Sequence, residues 1–372
     1  MRPVRLGVVG VGHLGRIHAR ILAAMPGITL TGVADPVEAN RQEVAAAYHT
    51  TPYADHRGLI GQIDAAVVAT PTRFHCQVAR DLLAAGIHLL VEKPLAPTTA
   101  QASEMVELAR RGGLVLQVGH VERFNPAFAA AQPHVREPKY IEAVRRSGFS
   151  FRSTDIGVVL DLMVHDVDLV LSMVQAPLRR VDALGIALFG RHEDIVNARL
   201  SFENGCVATL SASRASHSAA RTLHVWSRGG FAAIDLAGRT VDLVRPSPTL
   251  LRGELDVERL SAEEKAALKP TLLAEHLPCE SLAVEPADPL TCEVADFIAS
   301  IRSGQAPRVS GQAGLDAVTV AEHILLQVQT HAWEGSPTGP VGPRIAPPPQ
   351  ILRGPHWNLK PTDAPVERRR AG

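Results

Sequence analysis

The stretch GVVGVGHLGRIHA, residues 7 to 19, limits the fold of this chain more than any other segment. An apolar, β-branched run, VRLGVV, stops at Gly10-Val11-Gly12-His13-Leu14-Gly15 and gives way at once to a helix-period pattern. A strand that turns through spaced glycines into a helix opens a βαβ unit on a parallel sheet. Gly10 permits the tight turn, Gly12 lets the backbone approach a diphosphate, and Gly15 lets helix and strand pack closely. Unpaired amides at the helix start, around His13 and Leu14, favour phosphate charge. A dinucleotide is the ligand such a turn is built to hold.

The rhythm continues to residue 120. ITLTGVA, AAVVAT, HLLVE and LVLQVG read as strands, several apolar on successive residues, as expected where helices cover both faces of a sheet. Helix-period segments lie between them. Asp35 ends the second strand at the right distance to accept hydrogen bonds from a ribose diol, and its charge would repel a 2′-phosphate. NAD is therefore expected rather than NADP, although Arg41 stands six residues on. Thr70-Pro71-Thr72, with His75 just beyond, leave another strand at the carboxyl edge where open α/β sheets bind ligands, and are expected on the nicotinamide side.

HLLVE runs directly into Lys93-Pro94. Only five of the 38 basic residues are lysines, so surface charge is left to arginine and Lys93 is not filler. Pro94 restricts the backbone of Lys93 to an extended form, which aims its side chain reproducibly towards the same crevice. Glu92 beside it could meet the nicotinamide ribose or pair locally.

After residue 120 one long helical segment, DIGVVLDLMVHDVDLVLSMV (155 to 174), precedes alternating strand-like runs, among them IVNARLSF and CVATLSASRA joined at Asn204-Gly205, a two-residue hairpin signal. The fold expected is a doubly wound parallel α/β domain (1 to 120), then an α+β domain with a large, mainly antiparallel open sheet (121 to 334). A Pro-rich arm or disordered tail (335 to 372) ends the chain. The long helix contains no Lys, Glu or Arg, yet Asp161, His165 and Asp168 fall at i, i+4 and i+7. Such a stripe on an otherwise apolar helix points into a cavity. His165 suits proton removal from a hydroxyl near neutral pH, with Asp161 one turn earlier to orient it. A metal reading of His165, Asp166 and Asp168 lacks further ligands, and none is expected.

Equal numbers of acidic and basic residues, 38 of each, create no field favouring nucleic acid or an anionic membrane. Four cysteines without CxxC spacing read as reduced thiols, and no apolar run approaches the length of a membrane span, so a cytoplasmic protein is expected.

GVGHLGRIHA, VEKP and LDLMVHDVDL together resemble the Gfo/Idh/MocA family of nicotinamide-dependent sugar and cyclitol oxidoreductases, over roughly residues 4 to 330. The resemblance implies a Rossmann domain followed by an open-sheet domain that commonly mediates dimers or tetramers. It also implies a catalytic lysine, matched by Lys93, and an Asp and His matched by Asp161 and His165. TDIGVVLD departs from the family's glycine-rich lead-in to that Asp. VGHVERFNPAF and RSTDIGVVLDLMVHDVDL further resemble the branch acting on C3 of UDP-N-acetylglucosamine, at the start of the route to the UDP-2,3-diamino sugar of lipid A. That likeness implies a nucleotide-sugar substrate and places Arg123, Asn125, Arg145, Arg146, Arg152 and Arg214 in segments bordering the crevice, where guanidinium forks suit a diphosphate. A dehydrogenase of free cyclitols or hexoses, and a dinucleotide-binding regulator, are the rival readings.

Overall fold

The computed structural model describes residues 2–151, 155–333 and 338–343. Its first sheet contains β1 (Val4–Val9), β2 (Ile28–Ala34), β3 (Thr51–Tyr53), β4 (Ala65–Val68), β5 (His88–Glu92) and β6 (Leu116–Gly119), all parallel in the order β3-β2-β1-β4-β5-β6. The order reverses between β1 and β4, so the loops at their carboxyl ends diverge and leave a crevice. Helices α1 (His13–Ala24), α2 (Glu38–Tyr48), α3 (His75–Ala84) and α4 (Thr99–Gly112) make the connections. β4 is buried at every residue, the burial its uninterrupted apolar run anticipates.

Past the short α5 (Pro126–Ala131), β7 (Pro138–Arg146) leads to a π-helical turn, Val159–Met163, that runs into α6 (Val164–Val174). β8 (Leu178–Ile186), β9 (Ile195–Phe202), β10 (Val207–Ser213), β11 (Ala220–Ser227), β12 (Gly230–Asp235), β13 (Thr240–Val244) and β14 (Cys279–Ser281) complete a second, eight-stranded sheet with β7. Every pairing is antiparallel except β7 with β10. β9 and β10 meet at Asn204-Gly205, where Gly205 takes a positive φ of 82°. Three short helices, α7 (Pro248–Leu251), α8 (Ala262–Leu268) and α9 (Leu272–His276), interrupt the segment before α10 (Pro289–Ser303) and α11 (Gly311–Thr330).

α6 and α11 cover one face of the second sheet through Val164, Val167, Ala321 and Ile324, which share a core with Ile141, Leu210 and Val225. The opposite face carries Tyr140, His224, Trp226 and Phe231 in mutual ring contact. The chain also returns to its beginning: Val294, Phe297 and Ile298 of α10 sit in one core with Val4, Leu6 and Leu22. A division at residue 120 does not anticipate that return. Residues 338–343 fold back as well, for Val341 bridges to Ala332 and the Trp333 indole donates to the Gly342 carbonyl at 2.7 Å. The remainder of the expected arm lies outside the described residues. Among these, no helix is long and apolar enough to cross a membrane.

Candidate active site

The glycine turn has the shape a dinucleotide needs. Gly10 adopts φ +83°, and a Cβ there would lie 2.8 Å from the Ala69 carbonyl oxygen; one on Gly15 would lie 1.8 Å from that of Gly10. At Gly12 a Cβ would meet nothing within 4 Å. The turn is thus closed against its own sheet and open where a diphosphate approaches, and Gly12, His13 and Leu14 are exposed at the head of α1. Asp35 stands beside it. Its Oδ2 accepts from the Val11 amide and its Oδ1 from the Val37 amide, both at 2.9 Å, and each oxygen keeps a lone pair for a ribose hydroxyl. Arg41 donates to the Pro36 carbonyl at 3.1 Å.

Lys93 crosses from the first sheet to the second half of the chain. Its Nζ donates to the Asp161 carbonyl at 2.5 Å and to Asp161 Oδ1 at 3.2 Å. Nearby, Arg73 pairs with Asp155 at 3.7 Å. Asp161 is thereby committed to Lys93, and among the described residues it forms no hydrogen bond with His165, contrary to the orienting role expected of it. The reason is local. Asp161 belongs to the π-helical turn, whose wider winding breaks the i, i+4 alignment that a uniform α-helix would give.

His165 keeps a partly exposed ring, while its Nδ1 is enclosed without a partner. His120, at the carboxyl end of β6, packs edge-on against it with ring centroids 6.1 Å apart. Both His120 nitrogens are buried and unpartnered. Burial, then the charges of Lys93 and Arg123, lowers the His120 imidazole to about 3, and burial, then Lys93 and Arg145, holds His165 well below the usual histidine range. Two neutral imidazoles and an ammonium therefore converge. Sequence reading missed His120; the available signal was its position directly after a strand on the ligand side of the sheet.

Several expected contacts prove structural. Glu92 is buried and accepts from His18 Nε2 at 2.7 Å, so it pairs locally rather than reaching a nicotinamide ribose. His75 is buried with its two nitrogens against the Pro94 and Thr70 carbonyls, at 3.0 and 2.8 Å, which fastens the Thr70-Pro71-Thr72 turn to the lysine loop and leaves nothing for a cofactor. Asn125 caps α5 through the Ala127 amide and donates to Glu122 and the Leu236 carbonyl. Arg214 donates to Asp194 and the Ile156 carbonyl, and Arg145 to Asp166 and Glu122, all as buried pairs. Arg146, next along β7, points to the exposed opposite face, as strand alternation requires. Arg123 lies 3.6 Å from buried Asp168. Arg152 lies outside the described residues. A cavity of about 550 Å³ opens instead between Pro97, Ile156, Leu160, Arg191, His192 and Val341, beside the π-helical turn.

A Rossmann sheet with an open glycine turn, and a lysine reaching from it to a histidine-lined crevice, define an NAD-dependent sugar dehydrogenase. The chain belongs to the Gfo/Idh/MocA family: residues 4–120 match the oxidoreductase family's NAD-binding Rossmann fold, and 117–233 match the GFO/IDH/MocA C-terminal domain. It is 32% identical over 330 residues to the UDP-N-acetylglucosamine 3-dehydrogenase of Acidithiobacillus ferrooxidans, covering 88% of this chain and 98% of that one. A solved structure of that enzyme superposes with a TM-score of 0.76 at 31% identity over the same shares. The scyllo-inositol 2-dehydrogenase (NAD(+)) of Bacillus subtilis is 26% identical over 57% of this chain and 68% of its own. Levoglucosan dehydrogenase in complex with NADH shares the fold, with a TM-score of 0.74 at 19% identity over 87% and 96% of the two chains.

Proposed function

We propose that the enzyme oxidises the C3 hydroxyl of UDP-N-acetylglucosamine to a ketone. The observation that carries this reading is the near full-length likeness to the Acidithiobacillus 3-dehydrogenase, in a chain where Lys93 also meets Asp161 beside His165. Bound NAD supplies the nicotinamide that accepts hydride from the sugar carbon. His165, neutral for the reasons above, takes the hydroxyl proton. Lys93 donates a hydrogen bond to the same oxygen and stabilises it as negative charge develops. Asp161 holds the ammonium in place, and the buried His120 ring packs against that of His165. The cavity beside Leu160, with Arg191 and His192 on its wall, is our choice for the diphosphate. The aromatic face of the second sheet is our choice for self-association into a dimer or tetramer.

The test is NADH formation from a panel of UDP-sugars, free hexoses and cyclitols, with a carbonyl trap to draw the oxidation forward. Turnover of UDP-N-acetylglucosamine is expected. Turnover of free polyols alone, with UDP neither inhibiting nor raising the melting temperature, would overturn the substrate.

A further inference from the structure

Behind Lys93 lies a cluster of ionisable side chains that proton and hydride transfer do not use. His18 comes from α1, Glu92 from the end of β5 and Glu293 from α10. One nitrogen or oxygen from each lies within 4.8 Å of the others, and all three residues are buried, His18 and Glu293 completely. Glu92 has partners, His18 Nε2 at 2.7 Å and the Lys93 amide, which donates to its Oε2 at 3.3 Å. Among the described residues Glu293 has none on its carboxyl group: both oxygens are enclosed without a hydrogen bond, although its backbone carbonyl accepts from the Gln117 side chain at 2.9 Å.

Two carboxylates cannot both stay charged in a closed site served by one imidazole, and one member of such a pair keeps its proton. The other ionisable groups facing Glu293 are Asp296 on its own helix and Asp168 on α6, both acidic. Burial, then Glu92, Asp296 and Asp168, raises the Glu293 carboxyl well above the ordinary range. Burial works to raise Glu92 as well, but the hydrogen bond and charge of His18, with Lys93, bring it below the usual value. The two carboxyls are thus pushed apart, one towards the acid and one towards the anion.

We propose that Glu293 is a neutral carboxylic acid at physiological pH, and that it acts as a positioning residue for Lys93 by keeping Glu92 the single anion behind it. Ionising Glu293 places a second negative charge beside the Glu92–Lys93 junction and draws the ammonium away from Asp161. Because the proton is bound more tightly in the fold than in the unfolded chain, its contribution is present at low pH and lost as pH rises through the Glu293 ionisation.

Infrared difference spectra of the NADH complex, which need no sugar, test the proton directly. A carbonyl stretch of a protonated acid is expected in the wild type at neutral pH that vanishes at alkaline pH and that Glu293→Gln removes, while the band of Asp168 remains in both proteins. Gln supplies the same shape and a neutral donor, so Glu293→Gln is expected to keep kcat within about threefold at neutral pH and to lose the alkaline fall that Glu293 causes. Acid bands that are the same in the wild type and in Glu293→Gln, or superimposable pH profiles for the two enzymes, would overturn the proposal. So would a stoichiometric divalent cation in the purified enzyme that a chelator removes. Because the spectra are independent of turnover, an incorrect sugar assignment leaves this test intact.

Discussion

Replacing Asp168 with Asn should stabilise the protein, and more so at pH 8 than at pH 5. Asp168 is 2% exposed on α6, with Oδ2 unpartnered and the Arg123 guanidinium at 3.6 Å. Burial, only partly countered by Arg123, pushes its carboxyl up to about 7 from 3.8. A carboxyl held so far above its unfolded value binds its proton in the fold about 4 kcal/mol more tightly, at 1.36 kcal/mol for each tenfold change. The sign follows from proton counts. The stability is complete below the unfolded value and is lost as pH rises through the folded one, about 1.5 kcal/mol by pH 5 and about 2.5–3 kcal/mol more by pH 8. Asn copies the neutral acid at every pH and removes this dependence. Urea unfolding of both proteins without cofactor, at pH 5 and pH 8, should therefore show the variant's advantage widening by about 2.5–3 kcal/mol, and comparing the two proteins at each pH cancels titrations common to both. A variant less stable by the same amount at both pH values would show instead that Asp168 is a charged partner of Arg123, refuting the reasoning.

Other expectations concern the site and its frame. His165→Ala should lower kcat by about 10²–10⁴-fold while NADH binds as before in a fluorescence titration. Gly12→Val should leave the melting temperature near that of the wild type but weaken NADH binding, because the space it fills is empty of protein; Gly15→Ala should lower both, since its Cβ would meet the Gly10 carbonyl. Arg145→Met leaves Glu122 and Asp166 buried without their shared cation and should cost about 3–5 kcal/mol in urea unfolding.

The parallel sheet was legible because its strands are unbroken apolar runs punctuated by glycine, and β4 and β5 lie as their letters suggest. β7 escaped notice although it lies inside the second sheet, between β10 and β11. Lys139, Glu142, Arg145 and Arg146 obscure its alternation, and one of them, Arg145, faces inward to Asp166. Lys93 could be singled out by scarcity and by its proline, but the task of Asp161 could not, since a π-helical turn has no clear signature in sequence spacing. Arginines were the hardest to place: a guanidinium awaiting a diphosphate and one locked to Asp194 are the same letter, and the acid that decides between them lies 20 residues away. Glu293 looked like any helical glutamate until α10 folded back onto the first domain.

The central claim is that hydride leaves C3 of UDP-N-acetylglucosamine and that Lys93 and His165 serve its oxygen. Turnover of the C3-deuterated sugar nucleotide, with mass spectrometry of the reduced cofactor, tests this most directly. The account predicts that the deuterium appears in NADH alongside a 3-keto product, and that Lys93→Met and His165→Ala slow the transfer while retaining cofactor. Reduced cofactor without deuterium, or transfer undiminished in both variants, would contradict it.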